Sequence, residues 1–275
     1  MAAKSHRTAY ISTQFKKLLS REHIGRLARD PSIAVKTIKT YFFDKNLVER
    51  TADTDLQIYQ NSIASLASLV SPQLPGFYPF EDEDEGAREL GALFTHYGSD
   101  KANKHDYHRI YGRLLAGKRN EQLKILEIGL GTNDLSITSN MGLRANPGAS
   151  LRAFRDWAPH ATVIGADVDK RILFSDDRIV TYWVDQSDLS SLVVFASKCD
   201  GPFDLIIDDG LHLPYANFNT LATLLPLLKP DGAFVIEDIE IGHLPFWQIA
   251  CAALPKFVTR LVNAKDGVVF VLQHK

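Results

Sequence analysis

Short apolar runs recur along the second half of the chain, each ending in an acidic residue or a glycine and each followed by a stretch with helical periodicity. Leu123 to Ile128, Ala161 to Ala166, Arg178 to Val184, Leu205 to Ile207 and Ala233 to Ile236 read as buried strands. Helical segments lie between them, among them PGASLRAFRDWAP (147–159) and Tyr215 to Leu228, and strands joined by such crossovers run parallel. The closing run FVTRLVNAKDGVVFVLQHK reads as two strands joined by Lys265-Asp266-Gly267, a hairpin signal. The pattern predicts an α/β fold: a doubly wound, Rossmann-like sheet, mostly parallel with a final antiparallel strand.

The first part of the chain has a different rhythm. Tyr10 to Leu27, Ile33 to Phe43 and a run from Asp53 to Val70 carry apolar residues at helical spacing, which predicts a helical N-terminal region over residues 1–75. Its amphipathic faces suit packing on the main domain or on a second copy of the chain, so a homo-oligomer through these helices is expected. Three prolines followed by the acidic run Glu81 to Glu85 place a linker at 76–90, and the main domain then spans 91–275. A short helix is expected over Ala87 to His96. Tyr107 and Tyr111, four residues apart on the next helix, are neighbours that either belong to the core or line a pocket.

Composition narrows the class. A net charge of −2 gives no electrostatic reason to expect nucleic acid or an anionic membrane as partner. No apolar run reaches spanning length and the first residues lack a signal-peptide core, so a cytoplasmic protein is expected. Cys199 and Cys251 have no second cysteine or histidine at metal spacing and read as reduced thiols.

The candidate chemistry sits at the strand ends. Asp208 and Asp209 follow one strand, Glu237 and Asp238 the next, and the crossover between them brings both pairs to one rim together with His212. Ionised carboxylates about 4 Å apart repel by roughly 4 kcal/mol at an effective dielectric of 20. A shared proton or cation relieves that cost, and oxygen ligands favour magnesium. Gly129 and Gly131 follow the first strand, where a glycine turn lets the backbone approach a ligand. Asp167 ends the second strand, where such folds hold a ribose. Asp185 or Gln186, after the third strand, could bond an exocyclic amine or cap the next helix. A long loop, Thr132 to Pro147, follows the glycine turn, and loops of that length tend to be functional lids.

Glu127 to Gly131 (EIGLG), Asp167, Asp185-Gln186 and the terminal hairpin resemble the class I S-adenosylmethionine-dependent methyltransferases over roughly residues 91–275. More narrowly, GSDK with H-x-Y, EIGLG, PGASL, DDGLH and IED resemble the magnesium-dependent O-methyltransferases of macrolide sugars, the macrocin and mycinamicin enzymes, and the related cephalosporin hydroxylase-like proteins. That resemblance implies Asp209, Glu237 and Asp238 on a Mg2+ ion and His212, a helical turn beyond Asp209, as general base. It implies Ser99, Glu127, Gly129, Gly131, Ser150, Asp167, Asp185, Gln186 and Asp208 around S-adenosylmethionine. The acceptor would be a hydroxylated small molecule, such as a sugar of a glycosylated natural product. Two departures stand out: Asn133 replaces a third glycine, and IEIGHLPFW lacks the aromatic-rich segment that follows IED in the sugar enzymes. An NAD-dependent oxidoreductase would share the glycine turn and Asp167 but needs no metal-type carboxylates opposite them. A donor-binding protein with other chemistry, or none, is the second alternative.

Overall fold

In the computed structural model, residues 84–275 are described, together with the isolated positions Ile63 and Ala67. The helices expected over 1–75 and the linker residues 76–83 lie outside these residues, apart from those two helical positions. Backbone contacts divide the chain into two units, and the sheet belongs to the one formed by 73–247 and 256–275.

The described chain opens with helix α1 (Glu85–Tyr97). Asp84, within the acidic run, caps it by accepting from the Ala87 amide at 2.7 Å, and Gly98 closes it in the left-handed conformation. The last residues of the expected linker are thus helical. Helix α2 (Tyr107–Leu114) follows a turn, and then strands β1 (Lys124–Ile128), β2 (Thr162–Asp167), β3 (Ser175–Asp176), β4 (Ile179–Trp183), β5 (Phe203–Asp208), β6 (Leu228–Ile239), β7 (Phe257–Ala264) and β8 (Gly267–His274) build one sheet. Helices α3 (Ala149–Trp157), α4 (Leu189–Lys198) and α5 (Pro214–Leu224) connect its parallel strands.

The strand order is β3-β4-β2-β1-β5-β6-β8-β7. Pairings β4-β2-β1-β5-β6 are parallel, and β8 slots between β6 and β7, antiparallel to both. This is the mostly parallel sheet with a final antiparallel strand that the hydrophobic pattern predicts. The two-residue β3, antiparallel to β4, is an addition too short to show in that pattern.

Chain order reverses between β1, whose neighbours are β2 and β5, so the crevice of a doubly wound sheet opens at the carboxyl ends of these strands. Both faces of β1 and β5 are buried, which explains their continuous apolar runs. Phe94, Tyr111 and Phe154 pack edge to face beneath α1, α2 and α3. The hairpin turn between β7 and β8 is tied back to the loop between α1 and α2: the Lys265 amide donates to the His105 carbonyl, Lys265 Nζ to the Asn103 carbonyl, and His105 Nδ1 lies 2.9 Å from the Asp266 carbonyl.

Cys199 follows α4 as a free thiol, and burial pushes its pKa up to about 12. Its thiolate is therefore scarce at neutral pH, and alkylation by iodoacetamide is expected to be at least about tenfold slower in the folded protein than in urea. Mass spectrometry of the labelled peptide checks this; equal rates in both states would contradict it.

Candidate active site

The strand-exit turns of β1, β2, β4 and β5 line a cleft of about 340 Å3, with Gly129, Gly131, Asp167, Asp185, Gln186, Asp209 and His212 in its wall. The long loop after β1 contributes Ile137, Thr138, Ser139 and Met141. It is pinned by Ser139 Oγ donating to the Leu211 carbonyl at 3.1 Å, and by Arg171 bridging Asp134 to Asp169. A small adjoining recess is lined by Ser99, Asp100, Lys101, Glu127 and Ser150, and shares Gly129, Gly131 and Asp209 with the cleft.

Gly129 has φ of +94°, and a Cβ there would stand 2.0 Å from the Asp209 carbonyl oxygen. The glycine turn and the DDGLH segment thus touch backbone to backbone. Asp209 is fixed further by its amide donating to the Ile128 carbonyl at 2.8 Å.

The predicted donor-side residues divide into two groups. Asp167 and Asp185 stand in the cleft wall, although Asp167 already accepts from the amides of Leu130 and Asp169 at 2.7 and 2.8 Å. Burial raises its pKa, with those amides pulling the other way. Asp185 accepts from the Ser187 amide and hydroxyl. Gln186, by contrast, spends its side chain inward: Nε2 donates to Asp208 at 2.5 Å and Thr220 at 2.8 Å, and Oε1 accepts from the Leu211 amide. Asp208 is fully buried behind it and also accepts from Asn217 at 3.1 Å. Asp208 and Gln186 therefore brace the loop that carries Asp209. Glu127, buried at the base of the recess, accepts from Ser150 Oγ at 2.7 Å; burial raises its pKa and Lys101 opposes that.

Asp209 and His212 of the cleft wall meet Asp238: each of the three offers one ligand atom, all within 4.8 Å of one another. His212 Nε2 lies 3.9 Å from Asp209 Oδ1 and 3.9 Å from Asp238 Oδ2. The opposite oxygens are held from behind: Asp209 Oδ2 by Lys101 Nζ at 2.6 Å, Asp238 Oδ1 by the Tyr107 hydroxyl. Each carboxylate is thus anchored by one oxygen and presents the other to a common point. Residues 209–213 form a loop and α5 starts at Pro214, so His212 lies before the helix and the three-residue spacing from Asp209 is not a helical turn. His212 and Asp238 both adopt left-handed backbone, at φ of 55° and 52°. Strain of that kind in non-glycine residues costs on the order of 1–3 kcal/mol each and collects at functional sites.

Glu237 stands apart from this point. It is 1% exposed and faces inward, accepting from Lys101 Nζ through one oxygen and from the Tyr111 hydroxyl through the other. Burial, followed by the charge of Asp209, pushes its pKa well up, with Lys101 opposing. The two tyrosines prove to be both core and site, since their rings are buried while their hydroxyls hold Glu237 and Asp238. Sequence reasoning missed Lys101; its signal was the lysine of GSDK in an otherwise polar turn.

Two carboxylate oxygens converging at a half-buried point, with an imidazole nitrogen beside them, suit a hard divalent cation that keeps some water and a base next to it. The chain is 33% identical over 159 residues to the 8-demethyl-8-α-L-rhamnosyl tetracenomycin-C 2′-O-methyltransferase of Streptomyces olivaceus, covering 58% of this chain and 40% of that one. It is 31% identical over 158 residues to the mycinamicin VI 2″-O-methyltransferase of Micromonospora griseorubida, covering 57% and 37%. Among solved structures, MycE in complex with Mg, S-adenosylhomocysteine and mycinamycin VI superposes with a TM-score of 0.54 at 25% identity, covering 68% of this chain and 54% of that one. By sequence and by fold, the chain is similar to sugar O-methyltransferases. It spans about two fifths of the length of those curated relatives. No protein-family model matches it. The likeness to MycE is a likeness of the Rossmann-like sheet. No helix among the described residues is long and apolar enough to cross a membrane.

Proposed function

We propose that the protein is a cytoplasmic S-adenosylmethionine-dependent, metal-assisted O-methyltransferase acting on a hydroxyl of a small molecule, a sugar of a glycosylated natural product being the acceptor the relatives favour. The convergence of Asp209, His212 and Asp238 at the mouth of the cleft carries this reading. The donor would lie along the exits of β1, β2 and β4, with Asp167 toward its ribose, Asp185 toward its base, and Ser99, Glu127 and Ser150 around its amino-acid end.

A sulfonium methyl needs no activation, so the protein's tasks are to align the acceptor oxygen with the sulfur and to take its proton. A Mg2+ ion, when bound, would hold the acceptor oxygen and lower its hydroxyl pKa. Asp209 and Asp238 would hold that ion through the oxygens that face His212; Glu237, the third carboxylate of the motif, supports the pair from behind. His212 removes the acceptor proton. Its Nδ1 is buried without a hydrogen-bond partner among the described residues, a polar atom that a bound molecule can satisfy.

Incubation with S-adenosylmethionine and rhamnosylated or macrolide-sugar acceptors is expected to give a product heavier by one methyl group. Chelation should abolish it and Mg2+ restore it. Full turnover in excess chelator would remove the ion from the reading, and reduction of NAD without methyl transfer would replace the reading altogether.

A further inference from the structure

Past the glycine turn, the Met141 amide donates to the Thr132 carbonyl at 2.9 Å, so the chain between them, 133–140, leaves and returns at one place. A loop of that shape is an Ω-like flap. Gly131 and Gly142 flank it, both left-handed at φ of +78° and +77°. Ile137, Thr138 and Ser139 line the cleft, while Leu135 is 61% exposed. The stretch that follows the flap is fastened separately: the Gly148 amide donates to the Leu130 carbonyl at 2.8 Å, and Asn146 Nδ2 to the Tyr97 carbonyl at 2.8 Å.

Among the described residues, two side-chain hydrogen-bonding ties run from the flap to other elements. Ser139 Oγ donates to the Leu211 carbonyl, next to His212, and Asp134 accepts from Arg171. Arg171 leans in turn on Asp169, with Nε 2.7 Å from Oδ1 and Nη2 2.9 Å from Oδ2. One guanidinium thus fastens the flap to the exit of β2, while Ser139 fastens it to the exit of β5.

We propose that 133–140 is a gate over the methyl donor, latched by the Asp134–Arg171 ion pair, which must open for the donor to enter and the product to leave. This rests on the donor-binding reading of the previous subsection. A molecule in the cleft lies against Ile137, Thr138 and Ser139, so a closed flap keeps it from water and an open one lets it exchange. Neither Asp134 nor Arg171 lines the cleft, and the Arg171 side chain is 64% exposed. The latch therefore sets rates of exchange without touching the bound donor. An exposed ion pair suits that task, being weak enough to break at every turnover.

The test compares wild type, Asp134→Asn and Arg171→Met. Surface plasmon resonance gives association and release rates of S-adenosylhomocysteine, and calorimetry gives its affinity. Asparagine keeps the turn in which position 134 accepts from the Ser136 amide and removes the charge that faces Arg171. Both variants should exchange about two- to fivefold faster in each direction, the range of one exposed ion pair, with affinity within about twofold of wild type. A lost donor contact would instead speed release alone and weaken affinity by the same factor. Hydrogen exchange of 133–140 should quicken in both variants and slow in wild type when S-adenosylhomocysteine binds. Raising ionic strength from about 0.05 to about 0.5 M should speed release from wild type and leave Asp134→Asn unchanged; the wild-type arm decides where neither variant folds. Lys118→Met, which breaks a surface pair with Asp231, is the control and should alter none of these. The gate is overturned by wild-type exchange rates in both folded variants, by affinity lost in step with release, or by wild-type release that ignores salt. Wild type that binds no S-adenosylhomocysteine would overturn the donor reading itself, so the two failures are separable.

Discussion

His212→Ala is expected to lower turnover by roughly 10²- to 10⁴-fold, the range contributed by a positioned general base. Binding of S-adenosylhomocysteine should change little, because the donor-side residues lie along β1, β2 and β4 while His212 stands beside Asp209 and Asp238 at the mouth. Backbone strain has to be separated from chemistry, since position 212 is left-handed. Asn tolerates that conformation and offers hydrogen bonds but no basic nitrogen, so His212→Asn should fold as well as wild type and be as inactive as the alanine variant. Single-turnover methyl transfer with calorimetry of product binding checks both. Wild-type rates in either variant would remove the base assignment; loss of donor binding in both would make His212 part of the donor wall instead.

Gly129→Ala is expected to be the most damaging single methyl group in the described chain. The left-handed backbone costs a side chain about 1–2 kcal/mol, and overlap with the Asp209 carbonyl adds about 1–3 kcal/mol where the neighbour has to move. At about 2–4 °C per kcal/mol for a domain of this size, thermal unfolding should begin roughly 10 °C lower. The neighbour that must yield is the backbone of a proposed cation ligand, 2.0 Å from the added carbon. Turnover and Mn2+ affinity should therefore fall along with stability. Gly117→Ala is the matching control: its φ is +77°, yet a Cβ there meets nothing within 4 Å, so it isolates the conformational cost and should leave ion binding untouched. Calorimetry of melting and of Mn2+ binding decides; equal losses in the two variants would show that overlap with Asp209 contributes nothing.

Much of this was legible because strand ends are legible. Apolar runs that stop at an acid mark both the sheet and its carboxyl edge, so Asp209 and Asp238 could be brought together with His212 from sequence alone. The hairpin signal likewise placed β8 beside β7, although nothing in it says that β8 lies next to β6. Side-chain direction was harder to read. Glu237 and Asp238 are adjacent, and successive residues on a strand point to opposite faces, so the sequence alone could not say which partners each acid meets. Here the β6-β8 ladder shifts register between Ile236 and Ile239 and Asp238 turns left-handed, so one acid faces Lys101 and the other His212. Gln186 and Asp208 also have the right residue types for ligand binding, but their partners, Thr220, Asn217 and the Leu211 amide, come from α5 and the turn before it. Lys101 could not be found by periodicity, since its meaning comes from three acids that follow it by 26, 108 and 136 positions.

The tie between the β7-β8 turn and the loop carrying Lys101 sets an order on assembly. His105 leans on the Asp266 carbonyl, Lys265 bonds back to His105 and Asn103, and Tyr107 reaches Asp238 two residues beyond this clasp. During synthesis the loop emerges some 160 residues before the turn that secures it. The ion pairs of Lys101 use acids at the ends of β1, β5 and β6, but the backbone that follows it is fastened only by the last hairpin. Loss of this clasp would therefore free two things at once, the loop that carries Lys101 and the hydroxyl that holds Asp238.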